Sequence, residues 1–295
     1  MIDIKRLGGF ADEAADKIEG QVEALKELGW SNIELRAVDK KQLADLTESE
    51  FDHTLECLEE NNIKVFSLGS NIANWGQSIL SPFEDTKTLL EKTLKRAVRL
   101  KAEYIRIMSY SILTDSNKRV LANQMETERF KRMNYIVSSC LDAGIVPVHE
   151  NCFTYGGLSY EHTLRLLDNV KGLRLVFDTG NPPIDIDVRS GYPYSYQNSY
   201  EFYQNVKEFI SHVHIKDSYV TEDKAEHYTY PGEGKGDVLR IVEDLEKSGY
   251  KGYYSMEPHM AVVFHNSHIS STESVRHDNF VTYGKKFIEL TNQIH

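Results

Sequence analysis

Short apolar segments rich in β-branched residues recur along the chain, and each is followed by a stretch whose apolar positions repeat every three or four residues. The short segments are typical of buried strands, and the longer spacing is typical of helices that bury one face. Eight segments of the strand type occur, at 7–10, 32–35, 64–70, 104–110, 145–150, 173–178, 211–217 and 253–259.

The helical spacing is clearest in two stretches. The first contains Ile18, Val22, Leu25 and Leu28, and the second contains Met133, Ile136, Val137, Cys140 and Leu141. Glycine follows several such stretches, as at Gly29, Gly144 and Gly249. Because glycine readily adopts the left-handed conformation that ends many helices, these positions predict helix C-termini.

Eight alternations of strand and helix predict an α/β fold of the (β/α)8 TIM barrel type. A doubly wound open sheet is the alternative, but no GxGxxG follows the first strand, and polar residues stand at many strand ends rather than at one switch point. No linker, repeat or low-complexity segment divides the chain, so residues 1–295 are predicted to form a single barrel domain.

Composition narrows the class of protein. The chain is 40% hydrophobic and 27% charged, without an apolar run long enough to cross a bilayer and without the apolar core of a signal peptide. Cys57, Cys140 and Cys152 are too few and too scattered for a disulfide framework, which fits a cytoplasmic protein. A net charge of -11 argues against a nucleic-acid partner.

Metal-binding residue types stand at the ends of the last four predicted strands. These residues are Glu150, Asp178, His214 and Glu257. Strand ends converge at one mouth of a barrel, where three carboxylates repel one another unless a divalent cation compensates them. An oxygen-rich set with one nitrogen favours Mn²⁺ or Mg²⁺ and tolerates Co²⁺ or Zn²⁺, and the absence of thiolates argues against a structural zinc site.

Neighbouring residues leave alternatives open. His212 lies on the same strand face as His214, so it is either the ligand or, as we prefer, a hydrogen-bonding neighbour. His149 should point away from Glu150, as either a structural or a catalytic histidine. Lys216 either adds positive charge near a developing oxyanion or pairs with Glu233.

Further residues are candidates for substrate contact. Arg36 and Arg106 follow or end strands, where they either bind substrate or form structural ion pairs. Trp75 offers a flat apolar face of the kind that stacks on sugar rings, and the tyrosines from 192 to 203 either stack on substrate or simply pack.

The loop after the eighth strand is predicted to close over the substrate. Its length and polar content motivate this prediction, and its histidines are His259, His265 and His268. A contact between copies in a homo-oligomer is the alternative explanation. Deletion of residues 262–272 should therefore damage turnover.

Several motifs resemble those of the sugar phosphate isomerase/epimerase family, the xylose isomerase-like barrels that include ketose 3-epimerases, inosose dehydratase and endonuclease IV-type repair enzymes. They are GFADE at 9–13, IELR at 33–36, VHEN at 148–151, FDTGN at 177–181, HVHIKD at 212–217, PGEGKGD at 231–237 and SMEPH at 255–259. The resemblance implies a TIM barrel in which the four strand-end residues bind the metal and Glu150 and Glu257 are the acid/base pair. In the epimerases a histidine stands where this chain has Asn181, which is a further candidate for substrate contact.

The leading prediction is a metal-dependent isomerase or epimerase of a sugar or polyol derivative. In this reaction one glutamate removes a proton next to a carbonyl and the other returns it. A dehydratase of the inosose type, which uses the same enolate, is the alternative. Metal-dependent phosphodiester hydrolysis on damaged DNA is less favoured because the chain is acidic, and a non-catalytic sugar-binding barrel would not need all four ligands.

Overall fold

A computed structural model of the chain describes residues 2–262 and 271–294. Its central sheet consists of β1 (Leu7–Gly9), β2 (Asn32–Leu35), β3 (Lys64–Gly69), β4 (Tyr104–Ile107), β5 (Val146–Glu150), β6 (Arg174–Asp178), β7 (Ile210–Ile215) and β8 (Tyr254–Met256). Each strand overlaps one segment that the apolar pattern predicts. The eight-strand prediction is therefore confirmed.

The strands form a barrel. Hydrogen bonds link them in the order β1, β8, β7, β6, β5, β4, β3, β2, and every pair is parallel. At the remaining seam, the Asn32 Nδ2 of β2 donates hydrogen bonds to Leu7 O of β1 at 3.1 Å and to Lys5 O at 2.9 Å. Because the first and second strands meet in this way, the fold is a TIM barrel and not the open sheet of the alternative.

Eight helices of the described chain surround the barrel. They are α1 (Ile18–Glu27), α2 (Glu48–Glu60), α3 (Phe83–Arg99), α4 (Glu126–Asp142), α5 (Tyr160–Asn169), α6 (Ser199–Val206), α7 (Val238–Lys247) and α8 (Glu273–Thr291). The apolar residues predicted for the buried face of α1 are buried. On α4, Leu141 is 43% exposed because helical geometry places it about 90° from the centre of the buried face.

Local sequence signals set the helix ends. Gly29, Gly144 and Gly249 have φ values of 71°, 76° and 81°, so all three predicted glycine stops are in the left-handed conformation. At the start of α2, Thr47 and Glu50 form a reciprocal capping box, in which each side chain accepts a hydrogen bond from the other residue's backbone N–H.

Segments that follow the C-terminal ends of the strands build the rim of the barrel. Three hairpins follow β2, β6 and β7, formed by Ala37–Val38 with Lys41–Gln42, Ile186–Asp187 with Ser195–Tyr196, and Asp217–Val220 with Glu226–Thr229. Most of the predicted lid after β8, including His265 and His268, lies outside the described residues. None of the described helices combines the length and the apolar character that a membrane crossing requires.

Candidate active site and metal centre

The four predicted ligands meet at one end of the barrel. Glu150 and Asp178 are the last residues of β5 and β6, His214 lies near the end of β7, and Glu257 directly follows β8. The pairing of β6 with β7 places Asp178 opposite His214. Each residue offers a ligand atom within 4.8 Å of the others, and all four side chains are buried.

The arrangement of these atoms fits a divalent cation. His214 Nδ1 lies 3.5 Å from Glu257 Oε2, 3.9 Å from Asp178 Oδ2 and 4.0 Å from Glu150 Oε1. This nitrogen is buried and makes no hydrogen bond within the described part of the chain. A buried nitrogen without a hydrogen bond that faces three carboxylate oxygens forms a ligand set suited to Mn²⁺ or Mg²⁺. The imidazole nitrogen is also a common ligand of Zn²⁺.

The stretch VFDTGN explains how Asp178 is held at the end of a buried strand. Its Oδ1 accepts hydrogen bonds from the backbone N–H groups of Gly180 and Asn181, each at 2.8 Å. Its Oδ2 forms an ion pair with Lys216 Nζ at 2.7 Å. A Cβ on Gly180 would lie 2.7 Å from the Lys216 side chain, so the turn needs glycine to let the lysine approach.

Lys216 also approaches a second carboxylate, with its Nζ 3.4 Å from Glu257 Oε2. Burial raises the pKa of Asp178, and the charge of Lys216 lowers it. Repulsion from Glu257 and Glu150 raises it again, so that the pKa of Asp178 is about 7. Burial also raises the pKa of Glu257, but the charges of Lys216 and His259 hold it well below its usual range. Without a metal, Glu257 is therefore the more firmly ionised of these two groups.

The two candidate catalytic glutamates occupy matching environments. Each turns one carboxylate oxygen toward His214 Nδ1 and the other toward an arginine. Glu150 Oε2 lies 3.0 Å from Arg106 Nη1, and Glu257 Oε1 lies 2.9 Å from Arg36 Nη1. All four of these side chains are at least nine-tenths buried.

Further contacts hold this pair of glutamates in place. Arg36 makes two hydrogen bonds to Asp12, at 2.8 and 3.0 Å, so its guanidinium is fixed by a second carboxylate. Asn181 Nδ2 donates a hydrogen bond to Glu150 Oε1 at 3.0 Å. Both glutamates are thus held in position by side chains of the chain itself.

A cavity of about 310 Å³ opens above this centre. It is lined by polar and charged side chains together with a few apolar ones: Arg36, Gln42, Asn71, Asn74, Trp75, Arg106, Met108, Glu150, Cys152, Phe153, Asn181, Lys216, Glu257 and His259. A larger groove of about 810 Å³ lies between α2 and α3 but contains no residue from a strand end. The cavity beside the four predicted ligands is therefore the candidate site.

The structure brings most of the predicted substrate contacts to this cavity and leaves two away from it. Trp75, Arg106, Asn181, Lys216 and His259 line it. His212 lies one layer deeper in the barrel, and Glu233 lies outside the cavity with a side chain that is 52% exposed.

The positions of Lys216 and Glu233 decide between the two alternatives for the lysine. Lys216 pairs with Asp178 and Glu257, whereas Glu233 pairs with Lys286 of α8 at 3.0 Å, so the alternative of a Lys216–Glu233 pair is wrong. The physical reason is that the hairpin after β7 carries Glu233 outward toward α8 while Lys216 remains at the strand end.

His149 points away from the cavity. Its Nε2 lies 2.9 Å from Ser109 Oγ, and burial lowers its pKa to about 4, so it is a neutral histidine at neutral pH. Among the predicted tyrosines, Tyr203 is buried and donates a hydrogen bond to Asp244, and Tyr192 is 59% exposed. Neither residue lines the cavity, which favours the packing alternative for this part of the chain.

The PGEGKGD segment folds around one carboxylate. Asp217 accepts hydrogen bonds from the backbone N–H groups of Gly232, Gly234 and Gly236, at 2.8, 3.1 and 2.7 Å. A Cβ on Gly234 or Gly236 would lie within 2.8 Å of Asp217 Oδ1, so these glycines allow the close approach. Because Asp217 directly follows Lys216, the segment anchors the strand end that carries the lysine.

Three buried acids near the site were missed by the predictions from sequence, although the motifs GFADE and IELR contain them. Asp12 and Glu13 contact Arg36, and Glu13 also lies 3.0 Å from His259 Nδ1. Glu34 lies inside the barrel beside two histidines. The only signal in the sequence is a charged residue within or next to an apolar strand, which also occurs in ordinary ion pairs.

Comparison with known proteins agrees with this architecture. A family model described as xylose isomerase-like TIM barrel matches residues 22–276. Among curated proteins, none matches the sequence significantly.

Solved structures resemble the chain over nearly its whole length. A xylose isomerase-like TIM barrel protein from Mycobacterium smegmatis in complex with magnesium is 14% identical, with a TM-score of 0.69, covering 99% of this chain and 100% of that one. The probable 3-DHS dehydratase AsbF from Bacillus anthracis is 15% identical, with a TM-score of 0.68 and coverage of 96% and 98%. D-psicose 3-epimerase with D-tagatose from Clostridium cellulolyticum H10 is 13% identical, with a TM-score of 0.66 and coverage of 98% and 99%. At these identities the structures support the fold, and the family match over most of the length shows that this chain belongs to the xylose isomerase-like TIM barrel family.

Proposed function

We propose that this protein is a metal-dependent isomerase or epimerase of a sugar or sugar derivative, which acts through an enediolate by proton transfer between two glutamates. The observation that carries the proposal is the matched pair of Glu150 and Glu257, each held by an arginine beside the same four-ligand cluster. A reaction that moves a proton off one carbon and back to the same or a neighbouring carbon needs two such groups.

Glu257 begins the cycle as the proton acceptor, because the charges of Lys216 and His259 favour its ionised form, which is the form that can accept a proton. Glu150 supplies a proton from its own carboxyl group to the enediolate, and the proton taken by Glu257 passes to solvent at the end of the cycle. The contact from Asn181 fixes the Glu150 oxygen that faces the cluster. Lys216 places a positive charge at the edge of the cavity where negative charge develops on the substrate. A divalent cation at the cluster, Mn²⁺ by preference, supplies Lewis-acid polarisation of the substrate carbonyl when it is bound.

The size and the polar lining of the cavity suit a small polyhydroxylated substrate. Asn71, Asn74 and Gln42 offer amide donors and acceptors for hydroxyl groups, and Trp75, which is 40% exposed, offers an aromatic face at the entrance. The three free cysteines are buried, which supports a place in the reducing cytoplasm.

A dehydratase reaction is the second candidate. The position occupied by a histidine in the resembling epimerases is Asn181 here, and its amide is directed to Glu150. An amide is not an acid or base, so this position orients Glu150 and transfers no proton itself. A dehydratase needs the same proton abstraction but loses water afterwards, and the identity of the product separates the two reactions.

Proton exchange in D₂O tests the proposal. Wild-type enzyme loaded with Mn²⁺ is incubated with ketopentoses, ketohexoses and inososes, and NMR follows deuterium uptake at the carbon next to the carbonyl. Glu150→Gln and Glu257→Gln each keep an oxygen ligand and the side-chain shape but remove the base, so exchange should fall by roughly a hundredfold or more.

Glu246→Gln is the matched control. Glu246 contacts Arg6 and Tyr254 and does not line the cavity, so this variant should exchange at the wild-type rate. Release of water with a new double bond in the product would select the dehydratase over the isomerase. Deuterium uptake absent from the whole panel, together with cleavage of a phosphodiester by the wild type, would replace the enolate mechanism with hydrolysis.

A further inference from the structure

Glu34 lies directly beneath the metal centre. It belongs to β2, and its side chain is fully buried inside the barrel, on the far side of the His214 ring from the three carboxylates of the cluster. Its Oε2 lies 3.0 Å from His214 Nε2. Its Oε1 lies 3.4 Å from His212 Nε2 and accepts a hydrogen bond from Ser67 Oγ at 2.8 Å.

These contacts determine which nitrogen of His214 carries a proton. A carboxylate has only acceptor atoms, so the short contact to Glu34 requires a hydrogen on His214 Nε2. A neutral imidazole with a proton on Nε2 has its lone pair on Nδ1. Nδ1 is the atom that faces Glu150, Asp178 and Glu257.

The orientation of the ring is fixed as well. The edge contact between the rings of His214 and Phe10, with centroids 5.0 Å apart and planes at 71°, restricts rotation of the imidazole. His212 is held to the other oxygen of Glu34, which explains why the second histidine of this strand stays one layer below the cluster.

We propose that Glu34 is a positioning residue for the metal centre, which fixes the tautomer and the ring plane of His214 so that Nδ1 is presented as the single nitrogen ligand. The inference rests on the metal site of the proposed function but not on any particular reaction. Outer carboxylates that hold a ligating histidine in this way commonly contribute ten- to a hundredfold to metal affinity.

Glu34→Gln is the sharpest test because it changes charge and acceptor count without changing shape. A glutamine side chain has one oxygen and one NH₂ group, so it cannot accept from both imidazoles. Because His212 Nε2 and Ser67 Oγ both lie against the Oε1 position, the glutamine oxygen should remain there and its NH₂ group should face His214 Nε2. His214 must then turn an Nε2 lone pair toward the amide and carry its proton on Nδ1, which blocks the atom that faces the cluster.

The measurement is metal affinity of the chelator-treated protein, by calorimetric titration with Mn²⁺ and with Co²⁺, together with the visible spectrum of the Co²⁺ form. Glu34→Gln should weaken binding of both ions by roughly ten- to a hundredfold and alter the Co²⁺ bands. Ser67→Ala is the matched control, because it removes a hydrogen bond to the same carboxylate but leaves the contact between Glu34 and His214 intact. Its affinity should stay within about threefold of the wild type, since the metal ligands and their support are unchanged.

A double-mutant cycle separates positioning from a general structural role. In a His214→Ala background, where residual binding depends on carboxylates alone, Glu34→Gln should cause no further loss of affinity. Glu34→Asp retains the charge on a shorter side chain and should give an intermediate loss, which keeps the test available if the glutamine variant folds poorly.

Two results would overturn the inference in distinguishable ways. Wild-type affinity and an unchanged Co²⁺ spectrum in Glu34→Gln would remove the role of Glu34 and leave the proposed reaction untouched. Equal losses from Glu34→Gln with and without His214 would show that Glu34 acts on the fold, not through the histidine. A wild-type protein that binds neither ion would remove the metal site and the positioning role together.

Discussion

Asp185 provides the clearest quantitative test of the electrostatics near the barrel mouth. It lies in the long loop after β6 and is 4% exposed, and one carboxylate oxygen accepts a hydrogen bond from Ile186 N at 2.8 Å. Burial raises its pKa from 3.8 to about 8, with a smaller contribution from the charge of Glu226. The native state therefore holds this carboxyl group protonated at neutral pH, whereas the unfolded chain ionises it.

The sign and size of the effect follow from linkage. Because the native pKa is raised, stability is highest below the unfolded pKa and is lost as pH rises toward the native value, at about 1.4 kcal/mol per pH unit. Between pH 5 and pH 7 this group alone should lower the free energy of unfolding by about 2 to 3 kcal/mol. Asp185→Asn keeps an oxygen that can accept from Ile186 and removes the titration, so it should abolish this loss.

The assay is urea unfolding at pH 5, 6, 7 and 8, followed by circular dichroism, for the wild type and Asp185→Asn. The stability difference in favour of the variant should grow with pH and level off near pH 8. Asp187→Asn is a control from the same loop; it loses an ion pair to Arg189 at 2.6 Å and should be less stable than the wild type. A pH-independent difference between Asp185→Asn and the wild type would refute the argument.

Two further predictions concern the cluster and the segment that anchors Lys216. Metal analysis of the purified protein should find about one divalent ion per chain. Asp178→Ala removes a ligand, so it should weaken metal binding by roughly tenfold or more. Full metal occupancy in this variant would contradict the assignment of Asp178 as a ligand. Asp217→Asn should lower the free energy of unfolding by roughly 1 to 3 kcal/mol, because an amide NH₂ replaces an oxygen that accepts backbone hydrogen bonds from Gly232 and Gly234. An unchanged melting temperature would contradict that account.

The alternation of apolar patterns was sufficient to predict the barrel because each strand of this fold is buried and each helix buries one face. The same pattern located the carboxyl ends of the strands, and barrel topology then required the residues at those ends to converge. Glu150 and Asp178 could be placed beside each other for this reason, although 28 positions separate them in the sequence.

Contacts that depend on side-chain direction could not be predicted in this way. Arg36 reaches Glu257 from the opposite end of the chain, and Glu34 reaches His214 across the inside of the barrel. Nothing in the local pattern around either residue distinguishes these contacts from a surface ion pair. Glu233 shows the converse error, since its motif is close to Lys216 in sequence but its side chain pairs with α8.

The charge balance of the site unites these observations. Carboxylates outnumber permanent cations among the described residues around the cluster: the acids are Asp12, Glu13, Glu34, Glu150, Asp178 and Glu257, and the bases are Arg36, Arg106 and Lys216. An excess of buried negative charge must be compensated, either by protons or by a cation. Burial lowers the pKa of His214, but Glu34 and Glu257 raise it to about 10, so without metal the imidazole holds a second proton, on Nδ1, which a bound cation would replace. The same excess that retains this proton attracts a divalent cation, and the cation can compensate several carboxylates at once where one proton compensates a single charge. Asp178 is therefore stable in a buried position at the end of β6, because the barrel brings cationic side chains from the ends of β2, β4 and β7 to the same cluster.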